Sequence, residues 1–583
     1  MIYSLAYSLP FVKVAEVITS SMLTGLLPTK ISWPCRGLYV FRELQLSGAS
    51  EAYPWDRSNL KSMDIDLKKF EKVDAYAAKV DVKDTVEVLV GLLLQEAHSE
   101  LEKVRAIWIW ICHHIAYATV GSYSKGEKLS EEDDILKTRR GVCEGYSTLL
   151  CQMCSLAGVQ CVQLSGYAKG HGYKIGERFL GDGNHAWNAV YLDGRWHLLD
   201  STWGSGTISD DCTKFKFEYD ELYFFTHPAI FAEDHFPEDK DWQLLSPPLS
   251  QTQFENKIRH EKGFYNMGLL SSFPDTPIIR TVRGKSVIYV EARYPTLFMF
   301  DFDGSETFGL MTLHRFRMKL EVYPPAKGSH RLQIYAKPFN SSMSSYARVL
   351  RYRVDCKSVD STVRIPIELN NPVGPSWQTE QKGFLQPSHP DAFIRTQDGR
   401  CSVSFRLIED MDVLATLHSD DLAMTENMTR RHIFKSQLQN RIVLKIQIPQ
   451  TGIFVLKIFS RSKGALDTRY MYALCYLLTC TNPVVKWPMF PEAYNAWLDS
   501  YELVEPTAGV LPANQNIRFK LKVPGVNSVF VNDKKTGALT LSTEGYWEGL
   551  FNTAGSKEID VMIEEAPHTN RYIVILSYEV ETK

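Results

Sequence analysis

The stretch RRGVCEGYSTLLCQMCSLAG, residues 139–158, holds three cysteines and, from the first of them onward, a helical pattern of apolar residues. Apolar positions that recur every three or four residues predict an amphipathic helix. Here these positions are Tyr146, Leu149, Leu150, Met153, Cys154 and Ala157. The pattern begins at Cys143, and Gly158 is placed to end it. One cysteine therefore lies at the start of the predicted helix, and two lie along its length.

Three chemistries fit this group of cysteines. A zinc site would use Cys143, Cys151, Cys154 and Cys161. Structural zinc prefers close ligand pairs on turns, whereas apolar helix separates most of these residues. A redox pair of Cys151 and Cys154 would normally open a helix, but both lie in its middle, which favours buried, unreactive thiols. Cys143 differs, because the unpaired N–H groups in the first turn of a helix stabilise a thiolate. We predict that Cys143 is the one activated thiol.

A nucleophilic thiol needs a base within hydrogen-bond reach and a group that orients this base. Further along the chain, HAWNAVYL (185–192) and RWHLLDST (195–202) read as two strands. Asp193-Gly194 separates them, and this dipeptide is typical of a two-residue hairpin turn. The sequence therefore predicts an antiparallel hairpin in which the residues that flank the turn face each other.

The register of this hairpin places candidate residues on its two faces. Because side chains alternate along a strand, His185, Trp187 and Asp200 share one face, and His197 lies on the other. His185 and Asp200 become diagonal neighbours, roughly 7 Å apart at the backbone, which their side chains can bridge. We predict that His185 is the base and that Asp200 orients it. A register shift of one residue would break this arrangement.

Two helices and three further histidines surround these elements in the sequence. KDTVEVLVGLLLQEA (83–97) and SELEKVRAIWIWICHHIAY (99–117) show helical spacing, and Ser99 is predicted to cap the second helix. The paired histidines near the end of that helix are expected to interact with its dipole, and His171 lies in a glycine-rich loop with no evident orienting acid. The strand pattern is predicted to begin at about Phe179.

Composition narrows the class of protein. A chain of 583 residues predicts roughly four domains. Its net charge is −3 and no long basic run stands out, so nucleic acid is not an expected partner. The odd count of 11 cysteines predicts reduced thiols rather than a disulfide framework. The apolar lead segment is interrupted by Lys13 and Glu16, so we expect no membrane-spanning helix there.

The second half of the chain repeats. GLLSSFPDTPIIRTVRGKSVIYVEARYPTLFMF (268–300) parallels GFLQPSHPDAFIRTQDGRCSVSFRLIEDMDVLATL (383–417), and a divergent third copy ends the chain. The offset between Gly268 and Gly383 is 115 residues. Short alternating strands in units of this size predict tandem β-sandwiches. The predicted domains are a lead segment (1–52), a first domain (53–250) and three modules (251–370, 371–482 and 483–583). Proline-bearing joints are expected at NPVGPSW (371–377) and NPVVKWPMF (482–490).

Four stretches together carry a resemblance to a known family. They are RAIWIWICHHIAY, GVCEGYSTL, NHAWNAVYLDGRWHLLDSTWGSG and FFTHPAIFAEDHFPEDKDWQLL. They resemble the transglutaminase-like cysteine peptidase superfamily, and the similarity extends through the β modules. The resemblance implies an α+β fold, with a papain-like transglutaminase core followed by three immunoglobulin-like modules. It also implies Cys143 as nucleophile, His185 as base and acid, and Asp200 as orienting acid. We expect no cofactor and no metal.

The resemblance further implies an intracellular protein of muscle, near the sarcomeric Z-disc, with cytoskeletal partners of the filamin type. Three functions remain open. The first is a cysteine peptidase that acts on cytoskeletal protein by acyl transfer. The second is a transglutaminase, although animal enzymes of that type use calcium and no EF-hand-like loop is present. The third is a cytoskeletal binding scaffold with a little-used triad. Lys137 stands where a papain-type enzyme has glutamine, which leaves the second oxyanion donor open.

Overall fold

The computed structural model describes residues 60–581, except for 83, 123–128, 210, 343–344, 409–410, 464–468, 482–488, 534 and 565–570. The predicted lead segment 1–52 and the predicted boundary at residue 483 therefore lie outside the described residues. The described chain has a mixed helix-and-sheet domain followed by paired β-sheets, which confirms the α+β fold class. Across these residues, no helix combines the length and the apolar character that crossing a membrane requires.

The first domain packs helices around an antiparallel sheet. Its helices are α1 Glu71–Ala77, α2 Val86–Leu93, α3 Glu100–His114, α4 Glu132–Thr138, α5 Cys143–Leu156, α6 Ser201–Ser205 and α7 Pro228–Phe231. Its strands are β1 Ala116–Tyr117, β2 Arg140–Gly141, β3 Cys161–Ala168, β4 His185–Leu192, β5 Arg195–Leu199, β6 Gly206–Ile208, β7 Phe215–Phe217 and β8 His235–Pro237. The main sheet has the strand order β5-β4-β3-β8, and α5 packs across β3 and β4.

Helix α3 forms the centre of this domain. Ser99 caps it in a reciprocal arrangement with Glu102, as the sequence predicts, because each side chain accepts a hydrogen bond from the other residue's backbone N–H. Residues 104–112 are buried on every side of the helix. Arg105 is buried among them and is neutralised by ion pairs with Asp74 (2.7 Å) and Glu221 (2.8 Å). A helix that is buried all round anchors the elements packed against it.

The predicted helix at the cysteine stretch and the predicted hairpin register are confirmed. α5 begins at Cys143, and its predicted apolar face is buried. In the hairpin, Leu192 pairs with Arg195, and the ladder continues to the pair of Asn188 and Leu199. Two details of the strand prediction are wrong. Strand β5 ends at Leu199 because Asp200 leaves the ladder to cap α6. The sheet also begins earlier than residue 179, since β3 already starts at Cys161.

The remaining chain builds three sandwiches, joined to the first domain by α8 Gln251–Asn256 and α9 Gly263–Asn266. The first contains β9 Leu269–Phe273, β10 Ile278–Arg280, β11 Ser286–Ala292, β12 Thr296–Phe302, β13 Gly309–His314, β14 Arg317–Val322, β15 Gly328–Pro338 and β16 Ala347–Cys356. The second contains α10 Trp377–Gln381, β17 Phe384–Leu385, β18 Phe393–Thr396, β19 Arg400–Leu407, β20 Met411–His418, α11 Glu426–His432, β21 Ile433–Leu438, β22 Arg441–Gln447, β23 Gly452–Ser462 and β24 Met471–Cys480. The third contains β25 Glu492–Ala493, β26 Glu502–Glu505, β27 Val510–Leu511, β28 Asn516–Lys522, β29 Val529–Val531, β30 Thr540–Leu541, β31 Trp547–Asn552, β32 Glu558–Glu564 and β33 Tyr572–Val580.

The first two sandwiches repeat each other in detail. Their sheets have the orders β13-β14-β11-β9 with β10-β16-β15-β12, and β17-β19-β22-β21 with β18-β24-β23-β20. Gly268 and Gly383, the pair that defines the sequence offset, both adopt positive φ (73° and 89°) at the same place before the first strand. The hydroxyl of Tyr352 donates to Pro274 O, and that of Tyr476 donates to His389 O. In both modules, a tyrosine on the last strand therefore bonds to a backbone carbonyl near the start of the module. The predicted repeat is therefore structural.

Candidate active site

Three elements of the first domain bring the predicted site residues together. Cys143 is the first residue of α5, where the N–H groups of the first turn have no partner within the helix. His185 is the first residue of β4, the strand on which α5 packs. Asp200 follows β5, the next strand of the sheet. The hairpin ladder ends at the pair of Asn188 and Leu199, and His185 and Asp200 lie beyond that end on the two chain segments.

Asp200 holds His185 and is itself held by the backbone. His185 Nε2–H donates to Asp200 Oδ2 over 2.8 Å. The other carboxylate oxygen, Oδ1, accepts from the backbone N–H groups of Thr202 (2.9 Å) and Trp203 (3.1 Å), which is N-terminal capping of α6. The prediction that Asp200 lies on a strand is wrong, but its pairing with His185 does not need the strand. The cap fixes the carboxylate more firmly than a free strand position would.

The pKa of Cys143 is lowered and the pKa of His185 is raised, and both changes favour an ion pair between the two side chains. Burial alone would raise the pKa of the Cys143 thiol, but its hydrogen bond to His185, the charge of His185 and the N–H of Ala186 together lower it. For His185, burial lowers the pKa, yet Asp200 and the hydrogen bond to Cys143 outweigh this and raise it to about 10. Since Nε2 faces Asp200, Nδ1 is the nitrogen left for the thiol. The arrangement favours a thiolate beside an imidazolium.

A second histidine contacts the same carboxylate. His235, the first residue of β8, donates from Nε2 to Asp200 Oδ2 over 3.1 Å. Its Nδ1 lies 2.7 Å from Asp234 Oδ1. Although burial raises the pKa of Asp200, its hydrogen bonds and charge interactions with the two histidines hold that pKa well below its usual range. Sequence reasoning missed His235, and the only local signal is the acidic residue directly before it.

The site adjoins a large cleft. The cleft has a volume of about 830 Å³, and His185 and Trp203 form part of its wall. The first β-sandwich and the segment that precedes it also contribute to the lining, with Arg259, Arg348 and Arg351. The exposed loop residue His171 lies on the same cleft but hydrogen-bonds to none of the predicted site residues in the described structure. Of the three predicted site residues, His185 is the one that lines this cleft.

The other cysteines of the opening stretch have different surroundings. Cys151 Sγ lies 3.0 Å from Cys161 Sγ, and Asn188 Nδ2 donates to both sulfurs. The hydrogen bond to Cys161 and burial raise the pKa of the Cys151 thiol. Cys154 is fully buried in the core, as the helical pattern predicts. The ten cysteines that the structure describes are free thiols, and Cys151 approaches Cys161 rather than its weighed redox partner Cys154.

One group of described residues has the composition of a metal site. Ligand atoms of His185, Asp200 and His235 lie within 4.8 Å of one another. Both histidine nitrogens are at hydrogen-bond distance from the carboxylate, at 2.8 and 3.1 Å, so we assign the group to a hydrogen-bond network. Within the residues that the structure describes, no such group includes a cysteine, so the zinc site weighed from the sequence does not form there.

The remaining candidates lie away from the reacting groups. His197 is fully buried on the opposite face of the hairpin, as predicted, where it bonds to Ser62 Oγ over 2.6 Å. The paired histidines at the end of α3 bond through Nδ1 to backbone carbonyls one turn earlier, as expected for a helix end. Lys137 is exposed on α4, so its side chain is not a buried oxyanion donor. The backbone N–H of Cys143 remains the donor that the helix geometry offers.

Comparison with known proteins gives the family. The Transglutaminase-like superfamily matches residues 89–201, and the family described as KY-like, immunoglobulin-like domain matches residues 251–367 and 381–491. Human kyphoscoliosis peptidase is 51% identical over 92% of this chain and 80% of its own length, and the mouse protein is 52% identical over 91% and 80%. The chain belongs to the kyphoscoliosis peptidase family. Hillarin of Drosophila melanogaster is more distant, at 26% identity over 68% of this chain and 53% of that protein.

The two family matches fall on different domains of the structure, one on the first domain and the other on the β-sandwiches. The superfamily match ends at residue 201, directly after Asp200, and it includes Cys143 and His185. His235 lies beyond that match, in the part of the first domain that packs against the linker and the first sandwich. This chain therefore combines a transglutaminase-like core with immunoglobulin-like modules, and the candidate site lies in the core.

Proposed function

We propose that the protein is a cysteine peptidase in which Cys143, His185 and Asp200 act as nucleophile, base and orienting acid. The observation that carries the proposal is the pairing of a helix-start thiol with a histidine that Asp200 holds at 2.8 Å. The direction of both pKa displacements supports it, because a thiolate is the reactive form of cysteine. The adjoining cleft offers room for an extended peptide.

The proposed reaction is acyl transfer. Cys143 Sγ attacks a peptide carbonyl carbon, and the C–N bond breaks as His185 gives its proton to the leaving amine. Water then attacks the thioester, His185 takes a proton from it, and the carboxylic acid leaves as the thiolate re-forms. The N–H of Cys143 donates to the oxyanion, with support from the positive end of the α5 dipole.

We further propose that the substrate is a cytoskeletal protein of the filamin type, at the sarcomeric Z-disc of muscle. The support is the resemblance stated above, together with tandem β-sandwiches, a kind of module that presents sheet edges and loops to protein partners. In this proposal the β-sandwich modules bind the substrate protein while the transglutaminase-like core cleaves it.

Cleavage of filamin-type fragments tests the proposal. Cys143→Ala should abolish cleavage. Asp200→Asn should keep the fold, because asparagine also caps helices, yet it should lower turnover roughly 10- to 1000-fold since it holds His185 less well. His197→Ala should lose far less activity than His185→Ala, although the loss of its buried hydrogen bond should lower thermal stability.

Two outcomes would replace the proposal with the alternatives. If the protein incorporates an added amine into a fragment without cutting it, and Cys143→Ala does not, the function is transglutamination. If Cys143→Ala binds and affects the fragments as wild type does, the protein acts as a scaffold. Loss of activity in His197→Ala but not in His185→Ala would overturn the assignment of the base.

A further inference from the structure

His235 occupies an unusual position between two carboxylates. Its Nε2 lies 3.1 Å from Asp200 Oδ2, and its Nδ1 lies 2.7 Å from Asp234 Oδ1. A carboxylate oxygen accepts hydrogen bonds, so the bond to Asp200 uses the hydrogen on Nε2. The geometry therefore places His235 between the carboxylates of Asp200 and Asp234, where it shares Asp200 Oδ2 with His185.

The surroundings of His235 leave the ring little freedom. Its side chain has no exposed area. Its ring lies between aromatic side chains, with centroid distances of 4.0 Å to Phe231, 4.5 Å to Trp203 and 5.0 Å to Trp187. The backbone is held as well, because β8 pairs with β3 at this residue. Packing of this kind keeps a polar group in one orientation.

The carboxylate of Asp234, which His235 contacts through Nδ1, is also held in place. Tyr223 donates from its hydroxyl to Asp234 Oδ2 over 3.2 Å, and Arg259 Nε lies 3.8 Å from the same oxygen. The guanidinium of Arg259 in turn lies over the ring of Trp203, 5.3 Å from its centroid. The chain of contacts thus runs from Cys143 through His185, Asp200 and His235 to the segment that leads into the first sandwich.

We propose that His235 is a positioning residue of the reaction, which fixes Asp200 Oδ2 against His185. This inference rests on the proposed function of Cys143 and His185 as the reacting pair. Without His235, Oδ2 would be held by a single donor, and its hydrogen bond to His185 would be less well fixed. A weaker hold of Asp200 on His185 disfavours the imidazolium and with it the thiolate, so the residue serves the nucleophile through two intermediates without touching it.

Alkylation of Cys143 by iodoacetamide as a function of pH tests this without a substrate. His235→Phe removes both hydrogen bonds, and the midpoint of alkylation should move to higher pH, with roughly tenfold slower labelling at neutral pH. His235→Gln keeps an N–H donor on a more flexible side chain and should fall between wild type and His235→Phe. Asp234→Asn removes one of the two carboxylates and should give a smaller shift in the same direction.

His432→Phe is the matched control, because His432 is also buried and hydrogen-bonded but lies in the second sandwich. It should lower the melting temperature and leave the alkylation midpoint of Cys143 unchanged. If His235→Phe or, should that variant not fold, His235→Gln and Asp234→Asn behave like this control, His235 is merely structural and the inference is wrong.

The outcome also separates this inference from the proposed function. If wild-type Cys143 labels no faster than Cys151, the reacting pair does not exist and both ideas fall. If the His235 variants shift the midpoint but no fragment is cleaved by wild type, the positioning role stands and the peptidase assignment fails.

Discussion

Cys143 and Cys151 lie on the same helix, about two turns apart, yet their surroundings displace the pKa values of the two thiols in opposite directions. His185 lowers the pKa of Cys143 against the effect of burial, whereas the hydrogen bond to Cys161 and burial raise that of Cys151. We expect iodoacetamide at neutral pH to label Cys143 at least about tenfold faster, since the thiolate is the reactive form. Peptide mapping by mass spectrometry measures both rates in one sample, and equal or reversed rates would contradict the assignment.

The pH dependence of peptide cleavage follows from the same pair. Activity should rise with pH at a midpoint below that of an ordinary thiol, because the pKa of Cys143 is lowered. It should fall again near pH 10, where His185, with a pKa raised to about 10, loses the proton that the leaving amine needs. In Asp200→Asn the alkaline limb should move to lower pH, since the carboxylate that raises the pKa of His185 is gone. An alkaline limb near the pKa of ordinary histidine in wild type would count against the ion pair.

The sequence predicts some of these residues and not others for a physical reason. His185 is found because hairpin register is local and a two-residue turn sets it. The contact of Asp200 with His185 is found by the same register, but its capping role is not, since alternation alone continues the strand through it. His235 approaches Asp200 only through the pairing of β8 with β3, a contact between segments far apart in sequence. No periodicity encodes such a contact.

At the scale of elements, α2 and α5 contain glycines in very different surroundings. A Cβ built on Gly91 in α2 meets nothing within 4 Å, whereas one on Gly145 in α5 would lie 2.2 Å from the backbone oxygen of Leu129. Gly91→Ala should raise the free energy of unfolding by roughly 0.5–1 kcal/mol, because alanine is the better helix former. Gly145→Ala should lower it despite the same gain in propensity, since the clash pushes α5 away from the segment before α4.

Urea unfolding of the two variants measures both effects. Gly145→Ala should also slow the alkylation of Cys143, because both residues lie in the first turn of α5 and the clash displaces that turn. Gly91→Ala lies in α2 and should leave the rate of alkylation unchanged. If Gly145→Ala were as stable as Gly91→Ala, close packing at the start of α5 would not be what holds the helix. The sequence predicts this helix and its buried face, but the close approach of Leu129 depends on tertiary packing that no local pattern contains.

At the scale of the whole molecule, the repeat in the sequence predicts the sandwiches, but not how they join. The joint at residues 371–377 is hydrogen-bonded to both neighbours. Asn371 Oδ1 accepts from Met311 N in the first sandwich, and Gly374 N donates to Cys475 O in the second. Val373 is buried between them in an apolar cluster whose other buried members are Leu310, Ala392, Val455, Cys475 and Leu477. Prolines in this segment suggest a linker, whereas the burial of Val373 makes the joint part of a shared core.

The first two sandwiches should therefore behave as one rigid unit, and Val373→Asp tests this. A charge without a partner in the apolar seam should cost about 3–5 kcal/mol, the range measured when a buried charge loses its partner. Thermolysin should then cut the variant within residues 369–377 much faster than wild type. Val282→Asp is the matched control, because Val282 lies on the surface of the first sandwich with 74% of its area exposed, and its cleavage pattern should stay that of wild type. Rapid cutting of the wild-type joint, at the rate of Val373→Asp, would show that the modules move independently and that the seam does not hold them in solution.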